Sequence, residues 1–113
     1  MTSPYEERPW LSQYPKEVPA DIEVPDASVN DLFDKVTEKY PKRSAIIFYG
    51  NKLSYAELRE KVDRFATALA DLGVKKGDRV ALLLLNCPEH VIAFYAVLKL
   101  GAAVTAVSPV YVS

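Results

Sequence analysis

The sequence predicts an α/β fold: a small parallel sheet with flanking helices, preceded by a β-hairpin and an extended proline-rich arm. Three observations predict it. Two helical stretches each open at a polar capping residue and close at a glycine, Gly73 and Gly101. A run of strand-forming residues follows each glycine, at 79–85 and at 103–107. The order strand, helix, strand with almost wholly apolar strands is that of a βαβ unit, whose strands pair in parallel through a right-handed crossover.

Residues 1–27 form a first region, an arm, and residues 28–113 an incomplete α/β subdomain. Five of the eight prolines lie in the arm, at Pro4, Pro9, Pro15, Pro19 and Pro25. Proline removes a backbone donor and holds its predecessor extended, so the arm is expected to contain no helix or central strand. Trp10, Leu11, Tyr14 and Ile22 punctuate it and predict that it lies docked across a surface.

The first helix is predicted over Val29–Tyr40. Ser28 can cap it, Asp31 suits its N-terminus, Leu32, Phe33 and Val36 form its apolar stripe, and Pro41 stops it. Ala45–Tyr49 reads as a strand, Gly50-Asn51 as a tight turn, and Lys52-Leu53 as the returning strand. The second helix opens on Ser54-Tyr-Ala-Glu57, a capping box in which serine and glutamate satisfy each other's backbone donors. Leu58, Val62, Phe65, Leu69 and Leu72 fall on one face, while Arg59 to Arg64 read as solvated.

A polar turn, 74–78, leads to the strand Arg79–Leu85. This strand does not alternate, so both its faces are expected to be covered. Asn86 is predicted to cap the third helix, with Pro88 in the first turn. That helix is apolar on most sides and should be sandwiched. Ala103–Val107 is the last strand, closed by Pro109.

Composition narrows the function classes. Half the residues are apolar and 26% are charged, as in a globular protein. A net charge of −1 and the lack of a basic stripe argue against nucleic-acid binding. A lone cysteine, Cys87, makes no internal disulfide and fits a cytoplasmic protein. No secretory signal or transmembrane segment is read. The four glycines share no phosphate-cradling spacing, and a single histidine, His90, makes a zinc site improbable. Cys87 reads as a small buried apolar residue and His90 as a surface or packing residue. No catalytic, cofactor-binding or metal-binding residue is assigned. The residues with a sharper case are Asn86, at the carboxyl end of a buried parallel strand and at a helix N-terminus, and Ser108 and Tyr111 at the end of the next strand. Ligands of open α/β sheets bind at such ends, so these three are expected beside a substrate.

The block Leu53–Tyr111 resembles the N-terminal portion of the AMP-forming adenylate-forming enzymes: acyl-CoA synthetases, related ligases and luciferases. The resemblance rests on L-S-Y-A-E-L with Ala66 to Leu69, G-V-K-K-G-D-R-V-A (Gly73–Ala81), N-C-P-E (Asn86–Glu89) and F-Y-A-V-L-K-L-G-A (Phe94–Ala102). The arm, Arg8 to Ile22, is similar to the start of long-chain fatty-acid–CoA ligases. The resemblance implies a parent enzyme that uses ATP, Mg²⁺ and coenzyme A to activate a fatty acid, with its phosphate loop and catalytic lysine beyond the equivalent of Ser113. The isolated chain is then expected to hold no cofactor and to be inactive, its partner being the rest of the parent enzyme. Ser108 stands where that family usually has the asparagine of N-P-x-Y. Two alternatives stay open: a non-catalytic module that self-associates, as a homodimer, through exposed apolar faces, and a flavodoxin-like domain.

Overall fold

The computed structural model describes residues 1–111. Its elements are α1 (Pro4–Glu7), a 3-10 turn (Pro9–Gln13), α2 (Val29–Lys39), β1 (Ser44–Phe48), β2 (Asn51–Ser54), α3 (Tyr55–Asp71), β3 (Arg79–Leu83), α4 (Pro88–Lys99) and β4 (Ala103–Val107). β1 and β2 form an antiparallel hairpin. β3 and β4 pair in parallel, Arg79 beside Ala103 through Leu83 beside Val107, with α4 as the crossover. The α/β class, hairpin and small parallel sheet are those the sequence predicts.

The punctuation works through specific hydrogen bonds. Ser28 and Ser54 accept from the Asp31 and Glu57 backbone N–H groups, and each carboxylate accepts from the serine N–H in return, closing a capping box on α2 and on α3. α3 ends where Gly73 N–H donates to the Ala70 carbonyl and Val74 N–H to that of Leu69. α4 repeats the pattern, Gly101 donating to Leu98 and Ala102 to Val97. Both are Schellman motifs, which need the left-handed residue that Gly73 (φ 97°) and Gly101 (φ 73°) provide.

The core lies between α3 and α4. Leu58, Val62 and Ala66 pack against Ala96, with Phe33, Ile46, Leu53 and Tyr95 around them. Phe33 stacks on Tyr95 at 4.4 Å between centroids, tying α2 to α4. Asn30 adds a hydrogen bond to the Leu98 carbonyl at 2.9 Å. α4 is thus sandwiched, as its all-round apolar surface predicts.

Several expectations are corrected. The arm does contain helix: Ser3 caps α1 with its own capping box, and Pro4 and Pro9 each sit in a first turn, where a missing N–H costs nothing. Nor is the arm docked through its apolar side chains, since Trp10 is 38%, Tyr14 43% and Ile22 79% exposed. It folds on itself instead. Tyr5 meets Trp10 edge-on, and the Arg8 guanidinium grips both Asp21 oxygens and the Ala20 carbonyl.

The hairpin turn is Tyr49-Gly50, one residue earlier than predicted, with both φ values positive at 46° and 81°. That register sets Ile46 opposite Leu53 and leaves Ile47 outside; a one-residue slip would invert the faces. On α3, Ala66 rather than Phe65 completes the buried stripe, and Phe65 and Leu72 are exposed. Arg59 is not simply solvated: it reaches across to α2, donating to Thr37 Oγ1 at 3.3 Å and pairing with Asp34 and Glu38.

β3 ends at Leu83, and α4 covers one of its faces. Leu82 is buried, while Ala81 and Leu83 are exposed. The apolar run reports a surface suited to a second cover, and among the described residues that face stays open.

Candidate functional site

The carboxyl ends of β3 and β4 converge beside the first turn of α4 and leave a pocket of about 340 Å³. Asn86, Ser108 and Tyr111 all line it, so the structure brings together the three residues singled out from sequence. His90 joins them.

Each is placed by a local cause. Pro88 favours the first helical position and holds the residue before it extended, so Cys87 (φ −147°, ψ 165°) becomes the N-cap, without a side-chain bond. This corrects the expectation for Asn86, which stands one residue outside the helix with its amide free of the capping role. Ser108 opens a turn after β4: Tyr111 N–H donates to its carbonyl at 3.3 Å and Val110 N–H to its hydroxyl at 3.4 Å. That turn carries Tyr111, 81% exposed, to the pocket rim.

His90, expected from the sequence to be a surface or packing residue, is partly buried. Its Nδ1 is buried and has no hydrogen-bond partner among the described residues. An atom closed to solvent in this way is equally closed to a molecule in the pocket, so it reports packing and not a contact point. Its placement was legible in outline: three residues after the N-cap, His90 must lie at the helix end that faces the strand termini.

The remaining wall is apolar, including Leu84, Leu85 and Val107, and among the described residues no Lys, Arg, Asp or Glu lines it. Cys87, half-buried, faces an adjoining apolar recess with Ile46, Phe48 and Val91, between hairpin and helix, whose lining shares Asn86 and His90 with the first pocket. Among the described residues no three His, Cys, Asp or Glu side chains are grouped to hold a metal ion. The pocket therefore does not fit a magnesium triphosphate, and no step of nucleotide chemistry is derived from its side chains. Among the described residues, no helix is long and apolar enough to cross a membrane.

The family model for AMP-binding enzymes, described as "AMP-binding enzyme", matches residues 33–113. The chain belongs to the AMP-binding enzyme family. A long-chain-fatty-acid–CoA ligase of Bacillus subtilis is 35% identical over 105 residues, 93% of this chain and 19% of that protein. A crotonobetaine/carnitine–CoA ligase of Salmonella paratyphi A is 38% identical over 80 residues, 66% of this chain and 16% of that protein. Among solved structures, the N-terminal subdomain of Klebsiella oxytoca NpsA superposes with a TM-score of 0.73 at 34% identity, covering 75% of this chain and 22% of that one. This AMP-binding family member thus spans about a fifth of the length of the curated relatives it matches, and it corresponds to part of an N-terminal subdomain.

Proposed function

We propose that this chain is the N-terminal portion of an ATP-dependent, AMP-forming long-chain fatty-acid–CoA ligase. In that reaction ATP and a fatty acid give an acyl-adenylate and pyrophosphate, and the coenzyme A thiol then displaces AMP. The observation that carries the long-chain assignment is the arm. The match to the long-chain ligase extends over 93% of the chain and so takes in most of residues 1–27, whereas the match to the carnitine ligase stops at 66%. The α/β body is common to relatives of differing substrates, and the longer match to the long-chain ligase supports that reading.

Within the ligase, Asn86, Ser108 and Tyr111 sit beside the substrate at the strand ends and orient it, without taking a bond-making role. The nucleotide phosphates and Mg²⁺ are held elsewhere in the parent, because among the described residues this pocket offers neither cation nor carboxylate. The test is direct. The purified 113-residue chain, given ATP, Mg²⁺, a C16 fatty acid and coenzyme A, forms no thioester and releases no pyrophosphate; turnover by the chain alone would refute the reading. In the longer polypeptide, Asn86→Ala and Tyr111→Ala each lower kcat/KM about tenfold, the size of one lost positioning contact of about 1.4 kcal/mol.

A second reading is favoured by the open face of β3, where Leu83 is 62% exposed and Leu85, just beyond, is 59% exposed. On this reading the chain is a non-catalytic assembly module, covered by a second copy. Light scattering decides it: a monomer at all accessible concentrations removes this reading.

A further inference from the structure

We propose that the recess between the β-hairpin and the first turns of α4 binds a singly charged anionic amphiphile, an alkyl carboxylate, with its head beside Lys52 and Lys61. The recess holds about 310 Å³, at the lower end of the range for small-ligand sites, roughly 300–1,000 Å³. Ile46, Phe48 and Leu53 of the hairpin, with Pro88 and Ile92 of α4, supply its apolar surface. The recess beside Cys87 and Val91 shares Ile46, Phe48 and Pro88 with it and continues that surface. The hairpin register is the cause. Ile46 and Leu53 stand opposite each other and pack against the core, while Lys52, one residue away, is exposed.

Charge selects the head group. Lys52 and Lys61 both line the recess and both are exposed, so a molecule entering it meets them directly. Among the described residues neither forms an ion pair. Glu57, one turn before Lys61, is taken up by the N–H and hydroxyl of Ser54. Glu89 is the one acid lining the recess among the described residues. Two ammonium groups against one carboxylate leave a single positive charge in excess. One negative head balances it, and a cationic head would add to it. The alkyl chain gains by leaving water on the apolar surface, and the head stays at the wet edge, where it keeps most of its hydration. The recess shares no lining residue with the pocket at the strand ends, so the inference does not rest on the ligase reading.

The experiment is an NMR titration of the 113-residue chain with octanoate, 1,2-octanediol and octyltrimethylammonium at low salt. Octanoate gives saturable shifts at the Phe48, Leu53 and Ile92 backbone amides. Lys52→Gln and Lys61→Gln each weaken it about threefold, and Glu89→Gln tightens it about threefold, the size of one exposed charge pair. All three residues are exposed, so these substitutions leave the fold intact. The uncharged diol loses two attractions and one repulsion and binds about threefold more weakly, with the cation weaker again. Added salt weakens octanoate and leaves the diol unchanged. Equal binding of octanoate and the diol, or an affinity unmoved by all three substitutions, would overturn the proposal. So would shifts of the same amides with chain concentration alone, which would put a second copy in the recess. Loss of octanoate binding in a longer polypeptide would equally overturn it, because that polypeptide would then fill the recess itself. Octanoate shifts confined to Ser108 and Tyr111 would place the molecule at the strand ends, supporting the substrate reading and sinking this one.

Discussion

Thr37 is buried to 3% exposure on α2, and its hydroxyl both donates and accepts. It donates to the Asp34 carbonyl at 2.8 Å and accepts from Arg59 of α3 at 3.3 Å. Thr37→Val keeps the shape but strands the Arg59 contact, and it lowers stability by about 1 kcal/mol, the net worth of one such bond. Urea titration checks this, and Arg59→Ala should cost less in the Thr37→Val background than in the parent chain, since only its pairs with Asp34 and Glu38 are then left to lose. The capping carboxylates make a second residue-scale prediction. Hydrogen bonds from Ser54 hold the Glu57 carboxyl below its ordinary value of 4.5, and those from Ser28 hold Asp31 below 3.8. A carboxyl depressed on folding contributes stability above its unfolded value and loses it as pH falls through the folded one. The chain therefore loses stability as pH drops below 4.5, and Glu57→Gln flattens that acid slope in thermal melts while leaving the neutral-pH signal helical.

At the scale of elements, what was legible in the sequence is what local chemistry decides. Ser28, Ser54, Gly73 and Gly101 act through neighbours within five residues, and each stands where it was expected. The errors fell where a distant or competing partner decided. Asn86 lost the cap to Cys87 because Pro88 took the first helical position. The hairpin turned at Tyr49 because facing Ile46 and Leu53 inward fixes the register. At the strand ends, the nearness of Asn86, Ser108 and Tyr111 was legible from the βαβ order, while the approach of His90 to them shows only in three dimensions. Gly101 tests the punctuation itself. Its φ is 73°, and an added Cβ would meet Lys76 Cγ at 3.1 Å. Gly101→Ala therefore costs more than about 1 kcal/mol, the strain of a left-handed alanine with a contact added. Adding Lys76→Ala relieves the contact and not the backbone, so chemical denaturation of the double variant should recover only part of the loss.

At the scale of the molecule, exposure is the governing fact. The surface of 9097 Å² exceeds by roughly 2,900 Å² the value of about 6,200 Å² expected of a compact monomer of this mass. The radius of gyration, 19.0 Å, likewise stands well above the roughly 13 Å of a compact chain this long. Part of the excess is the arm, and part is the open face of the parallel sheet. A parallel sheet has both faces covered in nearly every fold that contains one, so a face bearing Ala81 and Leu83, extended by Leu85 beyond the strand, is built for a neighbour. This gives a prediction whose size depends on context. In the isolated chain, Leu83→Lys places a charge on a surface that is already wet and changes stability by less than about 0.5 kcal/mol, as ordinary surface substitutions do. In a longer polypeptide that covers the face, the same lysine is buried without a partner and costs several kcal/mol, or roughly 3 to 5. Thermal melts of the two proteins, each with and without the substitution, measure the difference. An equally small effect in both would mean that the longer chain leaves the face open, and an equally large effect in both would mean that the isolated chain already covers it by self-association.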